Sequence, residues 1–578
     1  MSEATPEAFY RARPWTRAYG DAVPAEFRPL PRLSSVGDIA RDAAARFGAA
    51  PAHTVCLETG LHATLDFRTV DAEADALAAW LRHDAGVASG DRVAVQMPNC
   101  LAYPIAVFGI LRAGAVLVNI NPLYTPHEAH EQLRDSGARV LVVIDLFADA
   151  AARARTGTAV ETLLIAGVDE RFPAAKRALV RTSLHLRRQL PPAPPDAVAF
   201  ATALSRGRRR PTSALPSVTA DDLALLQYTG GTTGVPKAAE LRHRHLLANI
   251  AQIEALARPV VEPGRETVLT ALPLYHIFAF TFNLLLFHHL GARNVLCPSP
   301  RPVSRLRKAF ERFPPSIASG VNLLFHGLLQ EAWFRRHPPR SLRLAIAGGT
   351  ALHRSTAERW EATVGHPILE GYGLTESSPV LAVNPPSGSN RLGSVGVPVP
   401  GSDVRILDDR GQTVPPGTAG EICARGPQVF ERYRGRDEES RHALRDGWLH
   451  TGDIGFMDTD GYLYVVDRKK DMIDVAGFNV FPNEVEECLT AHPSVAEVAV
   501  VGAPRGEGGE GVVAFVVPGE RDLDEESLRA FARERLTGYK IPRRIVFRDE
   551  LPKSPVGKLL RRELRAEARE ALEEEEEA

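Results

Sequence analysis

The sequence predicts an α/β protein, with a large N-terminal domain of layered α/β subdomains plus a small β unit, followed by a small α+β C-terminal domain. Helical and strand patterns alternate over residues 35–220 and again over 221–400, which is typical of parallel strands in layered sheets. Short strands separated by Asp/Gly turns then indicate a β unit at about 401–467. The predicted domain boundaries are therefore 1–467 and 468–578.

Length and composition are those of a large globular protein. The 578 residues are too many for one core and correspond to roughly four domain-sized units. The net charge of −2 creates no global field that favours nucleic acid or an anionic membrane, so we expect no nucleic-acid partner. Residues 1–20 lack the apolar core of a signal peptide, and the apolar runs 101–120 and 277–287 are interrupted or too short to span a bilayer. The cytoplasm is the expected compartment. Five scattered cysteines without paired or metal-ligand spacing favour it too: Cys56, Cys100, Cys297, Cys423 and Cys488.

In the first α/β region the patterns predict alternating helices and strands. Apolar spacing gives, in order, a helix at 69–83, a strand at 92–97, a helix at 103–113, a strand at 115–120, a helix at 127–136 and a strand at 139–144.

A basic segment, residues 170–215, interrupts this pattern. Its predicted helix at 174–190 is amphipathic and is followed by a Pro-rich run at 191–195. Two interpretations stay open. The segment docks anionic phospholipid headgroups or a CoA phosphate, or it is a solvated insertion with a polyproline linker. The basic residues are Arg171, Lys176, Arg177, Arg181, Arg187, Arg188, Arg206, Arg208, Arg209 and Arg210.

The stretch 227–237 follows a predicted buried strand at 223–226 and points to a polyphosphate. Glycines allow close backbone approach, successive N–H groups form an anion-binding nest, and threonine hydroxyls and a lysine add donors. A flexible surface loop is the alternative on composition alone. The stretch is not a Walker A loop, because Lys237 lies between Pro236 and Ala238. A helix predicted at 242–250 would begin near the phosphates. The candidate ligands are Thr229, Gly230, Gly231, Thr232, Thr233, Gly234 and Lys237.

Three further predicted strands end in polar or glycine-rich loops. The strands cover residues 268–274, 343–347 and 368–370, and they run into Tyr275-His276, Gly348-Gly349-Thr350 and Gly371-Tyr372-Gly373-Leu374-Thr375-Glu376. Since ligands bind at the carboxyl ends of parallel strands, we expect these loops to meet at one site.

The patterns that follow belong to the β unit and the C-terminal domain. They predict strands at 404–407, 420–424 and 462–466, a helix at 483–491, strands at 495–501 and 512–517, and a helix at 525–536. Residues 561–577 have helical propensity but finish in a run of glutamates, which favours a frayed, solvated tail.

Five motifs in a fixed order indicate a family. They are YTGGTTGVPK (228–237), YGLTE (372–376), WLHTGD (448–453), DRKKD (467–471) and LPKSPVGK (551–558), with ALPLYHIF (271–278) and GFNVFPNE (477–484) in support. Over roughly residues 30–570 the chain resembles the adenylate-forming superfamily of acyl-CoA synthetases, and most of all the bacterial long-chain fatty-acid–CoA ligases.

The resemblance implies an enzyme with two half-reactions. A fatty acid and ATP give an acyl-adenylate and pyrophosphate, and the thiol of CoA then displaces AMP. ATP, Mg²⁺ and CoA are the implied cofactors and co-substrates. The N-terminal region would be the adenylating domain, and the C-terminal domain a mobile cap. Peripheral contact with the inner face of the membrane, a homodimer and the acyl chain length stay open.

The resemblance also implies roles for single residues. Residues 229–237 would hold the β- and γ-phosphates, Glu376 with Thr229 would hold Mg²⁺, and Thr375 would lie near the α-phosphate. Tyr372 would pack against adenine. Asp453, assisted by Arg468, would accept hydrogen bonds from the ribose hydroxyls. Three glycines complete the nucleotide set: Gly349, Gly371 and Gly373.

Lys558 is the sharpest of these predictions, because it would reach both the attacking carboxylate and the α-phosphate from the C-terminal domain. His276 would lie beside the substrate carboxylate, with a satisfied core histidine as the alternative. Residues 278–287 would line an acyl tunnel or simply belong to the core. Lys470 would be the hinge, and the face around Gly477 and Phe478 would accept the CoA arm after rotation.

Two departures and several alternative functions remain. Ala238 stands where most relatives carry glycine, and residues 241–245 replace a more usual Thr-His segment. The alternatives are a medium-chain or aryl acid–CoA ligase, a fatty acyl-AMP ligase that loads a carrier protein, or, outside this class, a non-catalytic nucleotide-binding protein.

Overall fold

The computed structural model describes residues 5–21, 23–229, 236–475, 478–504, 509–519, 523–554 and 558–577. Within them the strands form five sheets, and helices cover the larger two. The predicted α/β class is confirmed.

Between residues 6 and 207 the elements are, in chain order, α1 (Pro6–Ala12), α2 (Asp38–Phe47), β1 (Pro51–Cys56), β2 (His62–Asp66), α3 (Phe67–His83), β3 (Arg92–Gln96), α4 (Ala102–Arg112), β4 (Val116–Asn119), α5 (Pro126–Ser136), β5 (Val140–Ile144), α6 (Ala148–Arg155), β6 (Thr162–Ala166), α7 (Ala174–Leu186), β7 (Val198–Ala199) and α8 (Phe200–Gly207).

Between residues 223 and 398 they are β8 (Leu223–Thr229), β9 (Lys237–Arg242), α9 (His243–Ala257), β10 (Thr267–Thr270), α10 (Ile277–Ala279), a π-helix (Phe280–Leu286), α11 (Phe287–His289), β11 (Arg293–Leu296), α12 (Arg307–Arg312), β12 (Ile317–Gly320), α13 (Asn322–Gln330), α14 (Ala332–Arg336), β13 (Leu344–Gly348), α15 (Arg354–Val364), β14 (Ile368–Gly373), β15 (Val380–Val383) and β16 (Val397–Pro398).

The remaining elements are β17 (Asp403–Leu407), β18 (Gly420–Arg425), α16 (Asp437–Ala443), β19 (Leu444–Arg445), β20 (Trp448–Met457), β21 (Leu463–Arg468), β22 (Ile473–Val475), β23 (Phe478–Val480), α17 (Pro482–Thr490), β24 (Val495–Pro504), β25 (Glu510–Pro518), α18 (Glu525–Arg533), β26 (Arg544–Phe547) and α19 (Arg561–Glu577).

Two large sheets form the main body. One has the strand order β7-β6-β5-β3-β4-β8-β9 and is parallel except for β9. The other has the order β16-β15-β14-β13-β12-β10-β11-β1-β2 and is parallel from β14 to β1. Because β1 and β2 join the second sheet while β8 and β9 join the first, both sheets draw strands from either side of residue 220.

The smaller sheets lie in the second half of the chain. In the first of them β17, β18, β20 and β19 are neighbours and β21 pairs with β20. β20 carries the motif at 448–453 and is a strand that the sequence analysis did not predict. The C-terminal part contains the β22-β23 ribbon and the sheet β24-β25-β26.

The apolar run 101–120 belongs to the core. Every residue of α4 is buried, and Pro104 lies in its first turn, where a missing N–H breaks no helical hydrogen bond. Among the described residues no helix is both long enough and apolar enough to cross a bilayer.

The helix predicted at 242–250 is present as α9, but it does not begin at the glycine-rich loop. The antiparallel strand β9, which was not predicted, lies between the loop and α9. A distant segment explains the difference, since Arg434 N donates to Ala238 O at 2.9 Å and Glu240 N donates to Arg432 O at 3.1 Å. These bonds pair backbone groups on the outer edge of β9. A helix at this position would have no strand edge to offer to residues 432–434.

Strand β10 is shorter than the predicted 268–274 because a side chain replaces its backbone partners. Asn99 donates to the carbonyls of Thr270 and Leu272 at 3.0 and 2.9 Å, and its Oδ1 accepts the N–H of Leu274 at 2.9 Å. The chain therefore leaves the sheet after Thr270 without leaving buried polar groups unpaired.

The prediction of a frayed C-terminal tail is wrong. Helix α19 places Leu564, Ala568 and Leu572 on one face at four-residue spacing, and all three are buried against β24 and β25. Arg561 adds an ion pair to Glu486 at 2.7 Å. The glutamates that suggested a solvated tail follow this apolar stripe.

Candidate active site

The β8/β9 hairpin holds the two ends of the glycine-rich loop. Thr229 ends β8 and pairs with Lys237 at the start of β9, so both side chains lie on the same face of the ladder. The other loop candidates lie outside the described residues: Gly230, Gly231, Thr232, Thr233 and Gly234.

Tyr433 joins this lysine to the carboxylate predicted to hold a metal. Lys237 Nζ lies 5.8 Å from the centre of the Tyr433 ring, and the Tyr433 hydroxyl donates to Glu376 Oε1 at 2.6 Å. Burial and the charge of Glu376 raise the pKa of Tyr433, so the hydroxyl stays protonated. Glu376 Oε2 makes no hydrogen bond to any residue that the structure describes, which leaves it open to a cation.

The turn that follows β14 fixes Glu376. This 3₁₀ turn, Thr375–Ser377, buries Glu376, whose carbonyl accepts the N–H of Phe430 at 2.8 Å. A Cβ on the neighbouring Gly373 would lie 1.9 Å from the carbonyl oxygen of Pro379. Only glycine therefore allows β14 to approach that segment so closely.

The residues predicted to bind the nucleoside lie together. Tyr372 donates its hydroxyl to Asp453 Oδ2 at 2.6 Å, and Arg468 Nε lies 3.4 Å from Asp453 Oδ1 across the β20/β21 pair. Burial and the charge of Asp453 raise the pKa of Tyr372 well above its usual value. Each carboxylate oxygen of Asp453 keeps lone pairs that can accept further O–H donors.

The predicted carboxyl-end loops lie at one edge of the nine-stranded sheet. β13 and β14 are parallel neighbours, with Gly348 opposite Gly371, and β10 lies beyond β12 in the same sheet. Gly349 has a φ of +83°, a conformation that favours glycine. A Cβ on Gly348 would touch the ring of Phe278 at 3.4 Å, so the glycine loop lies against the segment after β10.

His276 and Lys558 approach each other from the two domains. His276 begins α10, and its Nδ1 accepts the N–H of Phe278 at 3.4 Å. Burial, followed by the charge of Lys558, lowers the pKa of His276 to about 4, so the imidazole is neutral near pH 7. Desolvation and the charge of Arg468 lower the pKa of Lys558 to about 8, although the residue as a whole is exposed to solvent. Asp453 acts on Lys558 in the opposite direction, which places this amine within electrostatic range of the nucleoside residues.

The predicted hinge turn is bonded to both domains. On one side Lys469 N donates to Gly452 O at 2.9 Å. On the other, Arg565 of α19 pairs with Asp471 at 2.8 Å and donates to the carbonyl of Lys470 at 3.3 Å. Desolvation lowers the pKa of Lys470.

The predicted CoA region lies partly outside the described residues, since Gly477 is not among them. Phe478 has 57% of its surface exposed and stacks on Tyr539 with ring centroids 4.9 Å apart. The C-terminal domain therefore presents an aromatic pair to solvent at this position.

The two departures from the family pattern have local explanations. Ala238 uses its backbone to pair with Arg434, and its methyl group is buried in the core beside β8. His243 Nδ1 accepts the N–H of Val36 at 3.1 Å, and His245 Nδ1 accepts the N–H of Arg242 at 3.1 Å. Burial lowers the pKa of each histidine to about 4, which keeps both as neutral acceptors.

Sequence reasoning missed four residues that support the site: Tyr433, Asn99, Glu370 and Asp467. Glu370 accepts the N–H of Leu352 at 3.1 Å and so holds the glycine loop after β13, while burial raises its pKa to about 7. Asp467 accepts the N–H of Asn483 at 2.8 Å, and burial raises its pKa to about 6. For Glu370 and Asp467, the signal available in the sequence was an acidic residue within an otherwise apolar strand. Tyr433 lies outside every motif, so nothing in the sequence distinguished it.

Comparison with known proteins identifies the relatives of this chain. The sequence profile of the "AMP-binding enzyme" family matches residues 40–434, and that of the "AMP-binding enzyme C-terminal domain" matches residues 484–558. A protein of Escherichia coli O6:H1 named "Long-chain-fatty-acid--CoA ligase" is 46% identical over 557 residues, which is 96% of this chain and 98% of that protein.

The chain also superposes on solved structures over most of its length. The anthranilate CoA ligase AuaEII in complex with anthranoyl-AMP superposes with a TM-score of 0.82 at 28% identity, over 93% of this chain and 98% of the other. ATP-bound MatB from Rhodopseudomonas palustris gives 0.79 at 28% identity over 92% and 99% of the two chains, whereas the apo form of MatB gives 0.70. With matched profiles over both domains and a near full-length relative at 46% identity, this chain belongs to the family of AMP-binding enzymes.

Proposed function

We propose that this protein activates a long-chain fatty acid with ATP and transfers the acyl group to CoA. The carrying observation is that Lys237, Glu376, Asp453 and Lys558 come from four distant segments and are connected by contacts and charge interactions through Tyr433, Tyr372 and Arg468. The 46% identity to a long-chain-fatty-acid–CoA ligase supports the substrate class.

ATP would lie along the edge of the nine-stranded sheet. The β- and γ-phosphates would contact Lys237 and the loop 229–237, whose ends the β8/β9 hairpin fixes. Adenine would pack against the ring of Tyr372 beside Gly349 and Gly371. The ribose hydroxyls would donate to Asp453, whose lone pairs remain available.

The donor set near Glu376 fits Mg²⁺. This cation prefers oxygen ligands and is usually bound by one or two carboxylates together with substrate phosphates. Glu376 Oε2 is open among the described residues, and the Thr229 hydroxyl is a second oxygen donor. Within the described part of the chain no three His, Cys, Asp or Glu residues converge as a complete protein cage, which agrees with a site shared with phosphate. When bound, Mg²⁺ would neutralise charge on the triphosphate.

The first half-reaction forms a bond between a carboxylate oxygen and the α-phosphorus and breaks the bond to the β-phosphate oxygen, releasing pyrophosphate. The attacking anion meets the negative triphosphate, so catalysis depends on charge neutralisation and positioning. Lys558 would supply a positive charge between the two anions. Neutral His276 would position the carboxylate without placing a second full charge next to Lys558.

The second half-reaction forms the bond between the CoA sulfur and the acyl carbon and breaks the acyl–oxygen bond to AMP. The C-terminal domain would rotate about Lys470 and present the face around Phe478 to the pantetheine arm. The turn contacts both domains through hydrogen bonds and through ion pairs such as Lys469 with Asp409 and Asp471 with Arg565, and such contacts can be exchanged.

Pyrophosphate release and thioester formation test the proposal over a series of straight-chain and aryl acids. We expect ATP-dependent acyl-CoA formation with the highest kcat/KM for long chains, and its loss in Glu376→Gln. A preference for short or aryl acids would favour the medium-chain or aryl ligase. Acyl-adenylate that accumulates in the presence of CoA would favour a carrier-loading enzyme. ATP binding without pyrophosphate release would leave a non-catalytic nucleotide-binding protein.

A further inference from the structure

Helix α7 exposes two large apolar side chains to solvent, in addition to the apolar side chains that it packs against the core. It buries Val180 and packs Leu184 partly against the core. Leu179 and Leu186 lie on another face, two helical turns apart, and are 62% and 77% exposed. They belong to a small set of large apolar side chains exposed among the described residues. The helix therefore presents an apolar face that nothing in the described chain covers.

The charged side chains of the helix itself are all positive, but only some remain available. No Asp or Glu occurs from Phe172 to Pro195. Arg177 and Arg181 form ion pairs with Asp169, at 3.1 and 2.8 Å, and Arg181 also pairs with Asp145 at 3.5 Å. Arg187 and Arg188, at the C-terminal end of the helix, form no ion pair with any residue in the described ranges. Two arginines of the helix are therefore paired, whereas Arg187 and Arg188, next to the leucines, form no ion pair with described residues.

Arg188 has an unusual backbone conformation. Its φ is +55°, and the next residue, Gln189, donates its N–H to Leu184 O at 3.0 Å, which ends the helix. Glycine is the usual residue at such a left-handed C-terminal position, because other residues are strained there. An arginine at this position lowers local stability and adds a positive charge beside the exposed leucines.

We propose that the face formed by Leu179, Leu186, Arg187 and Arg188, here called the α7 face, docks on an anionic phospholipid surface. The leucines would enter the boundary between headgroups and acyl chains, and the two arginines would pair with lipid phosphates. In a symmetric dimer, the second copy would present the same helix. That helix contains no Asp or Glu that could pair with these arginines. Anionic lipid supplies both the apolar layer and the charge. The proposal concerns a surface apart from the nucleotide site and stands independently of the proposed reaction.

Co-sedimentation of the full-length protein with vesicles tests this proposal. We expect binding to vesicles of equimolar phosphatidylglycerol and phosphatidylcholine, weakening as salt is added, and little binding to phosphatidylcholine alone. Each basic residue near an anionic bilayer changes the partition coefficient by about 5-fold. Arg187→Gln with Arg188→Gln should therefore lower it by roughly 25-fold, and Leu179→Ser with Leu186→Ser should also lower it.

Matched variants separate docking from folding. Leu123→Ser removes another exposed leucine (68% exposed), and Arg265→Gln removes another exposed arginine; both should bind vesicles like wild type. Arg188→Gly relieves the left-handed strain, so it should be at least as stable as wild type and still bind about 5-fold more weakly. Activity with a water-soluble acid should be unchanged in all the α7 variants, which distinguishes failure of docking from failure of catalysis.

Three outcomes would overturn the proposal. Wild type could fail to bind the anionic vesicles. The α7 variants could bind as wild type does. Wild type could form a dimer, seen by analytical ultracentrifugation, that Leu179→Ser with Leu186→Ser abolishes while vesicle binding stays unchanged; the face would then belong to a second copy.

Discussion

At the residue scale, Tyr433 connects the β8/β9 hairpin to Glu376, the carboxylate proposed to hold Mg²⁺. Its hydroxyl bonds to Glu376 Oε1, its ring lies near Lys237 Nζ, and its backbone forms a bridge with Ala239 of β9. One side chain therefore fixes which oxygen of Glu376 points towards the site. We infer that Tyr433 is a positioning residue for the carboxylate.

Tyr433→Phe tests this role, because it keeps the ring and removes the hydrogen bond. A hydrogen bond to a charged group contributes about 1.5–3 kcal/mol. We therefore expect the Mg²⁺ concentration for half-maximal pyrophosphate release to rise by about 10- to 150-fold, with most of the rate restored at saturating Mg²⁺. Tyr464→Phe, which loses a hydroxyl contact to Asp458 in the β unit, is the control and should leave the Mg²⁺ requirement unchanged. A rate loss that added Mg²⁺ does not restore would argue for a purely structural role.

The lowered pKa of Lys558, about 8, predicts a pH dependence of the first half-reaction. The protonated amine is the active form, so kcat/KM for adenylate formation should be constant below the pKa and fall as the pH rises through about 8, since this parameter reports the free enzyme. Arginine stays protonated throughout this range. Residual activity of Lys558→Arg should therefore lack the alkaline fall up to pH 10, and an identical fall in both proteins would assign it to another group.

At the element scale, periodicity predicted most helices and parallel strands, while tertiary contacts decided the exceptions. The predicted helix at 69–83 and strand at 139–144 correspond to α3 and β5 within one or two residues at each end. β9 is a strand because residues 432–434 bond to its edge, and β10 stops early because Asn99 replaces its backbone partners. Partners that lie more than a hundred residues away leave no local pattern. For the same reason, no local pattern shows that β1 and β2 join the nine-stranded sheet.

Helix α19 gives a prediction at this scale. Leu564 is 1% exposed in the small core between α19 and β24, and truncating a buried leucine costs about 2–5 kcal/mol. We expect Leu564→Ala to reduce amide hydrogen-exchange protection in β24 and β25 by a matching amount, while the nine-stranded sheet keeps its protection. The exposed Arg562→Ala is the control and should change little. Unchanged protection in Leu564→Ala would mean that the helix is not part of this core.

At the scale of the whole molecule, the C-terminal part of the chain brings Lys558 within electrostatic range of residues from the main body. Lys558 lies near His276, Asp453 and Arg468, and the chain superposes better on ATP-bound MatB than on its apo form. Motif order predicted which distant segments lie next to one another. It could not predict the domain arrangement, because that depends on contacts such as Arg565 with Asp471, which no single motif contains.

Separate measurement of the two half-reactions in Lys558→Ala tests whether this lysine serves adenylate formation alone. We expect pyrophosphate release from fatty acid and ATP to fall by about 10²–10³-fold, the usual effect of removing one preorganised charge. Thioester formation from supplied acyl-adenylate and CoA should remain close to wild type, because that step uses the other face of the C-terminal domain. Equal loss of both half-reactions, or an unchanged first one, would contradict the account.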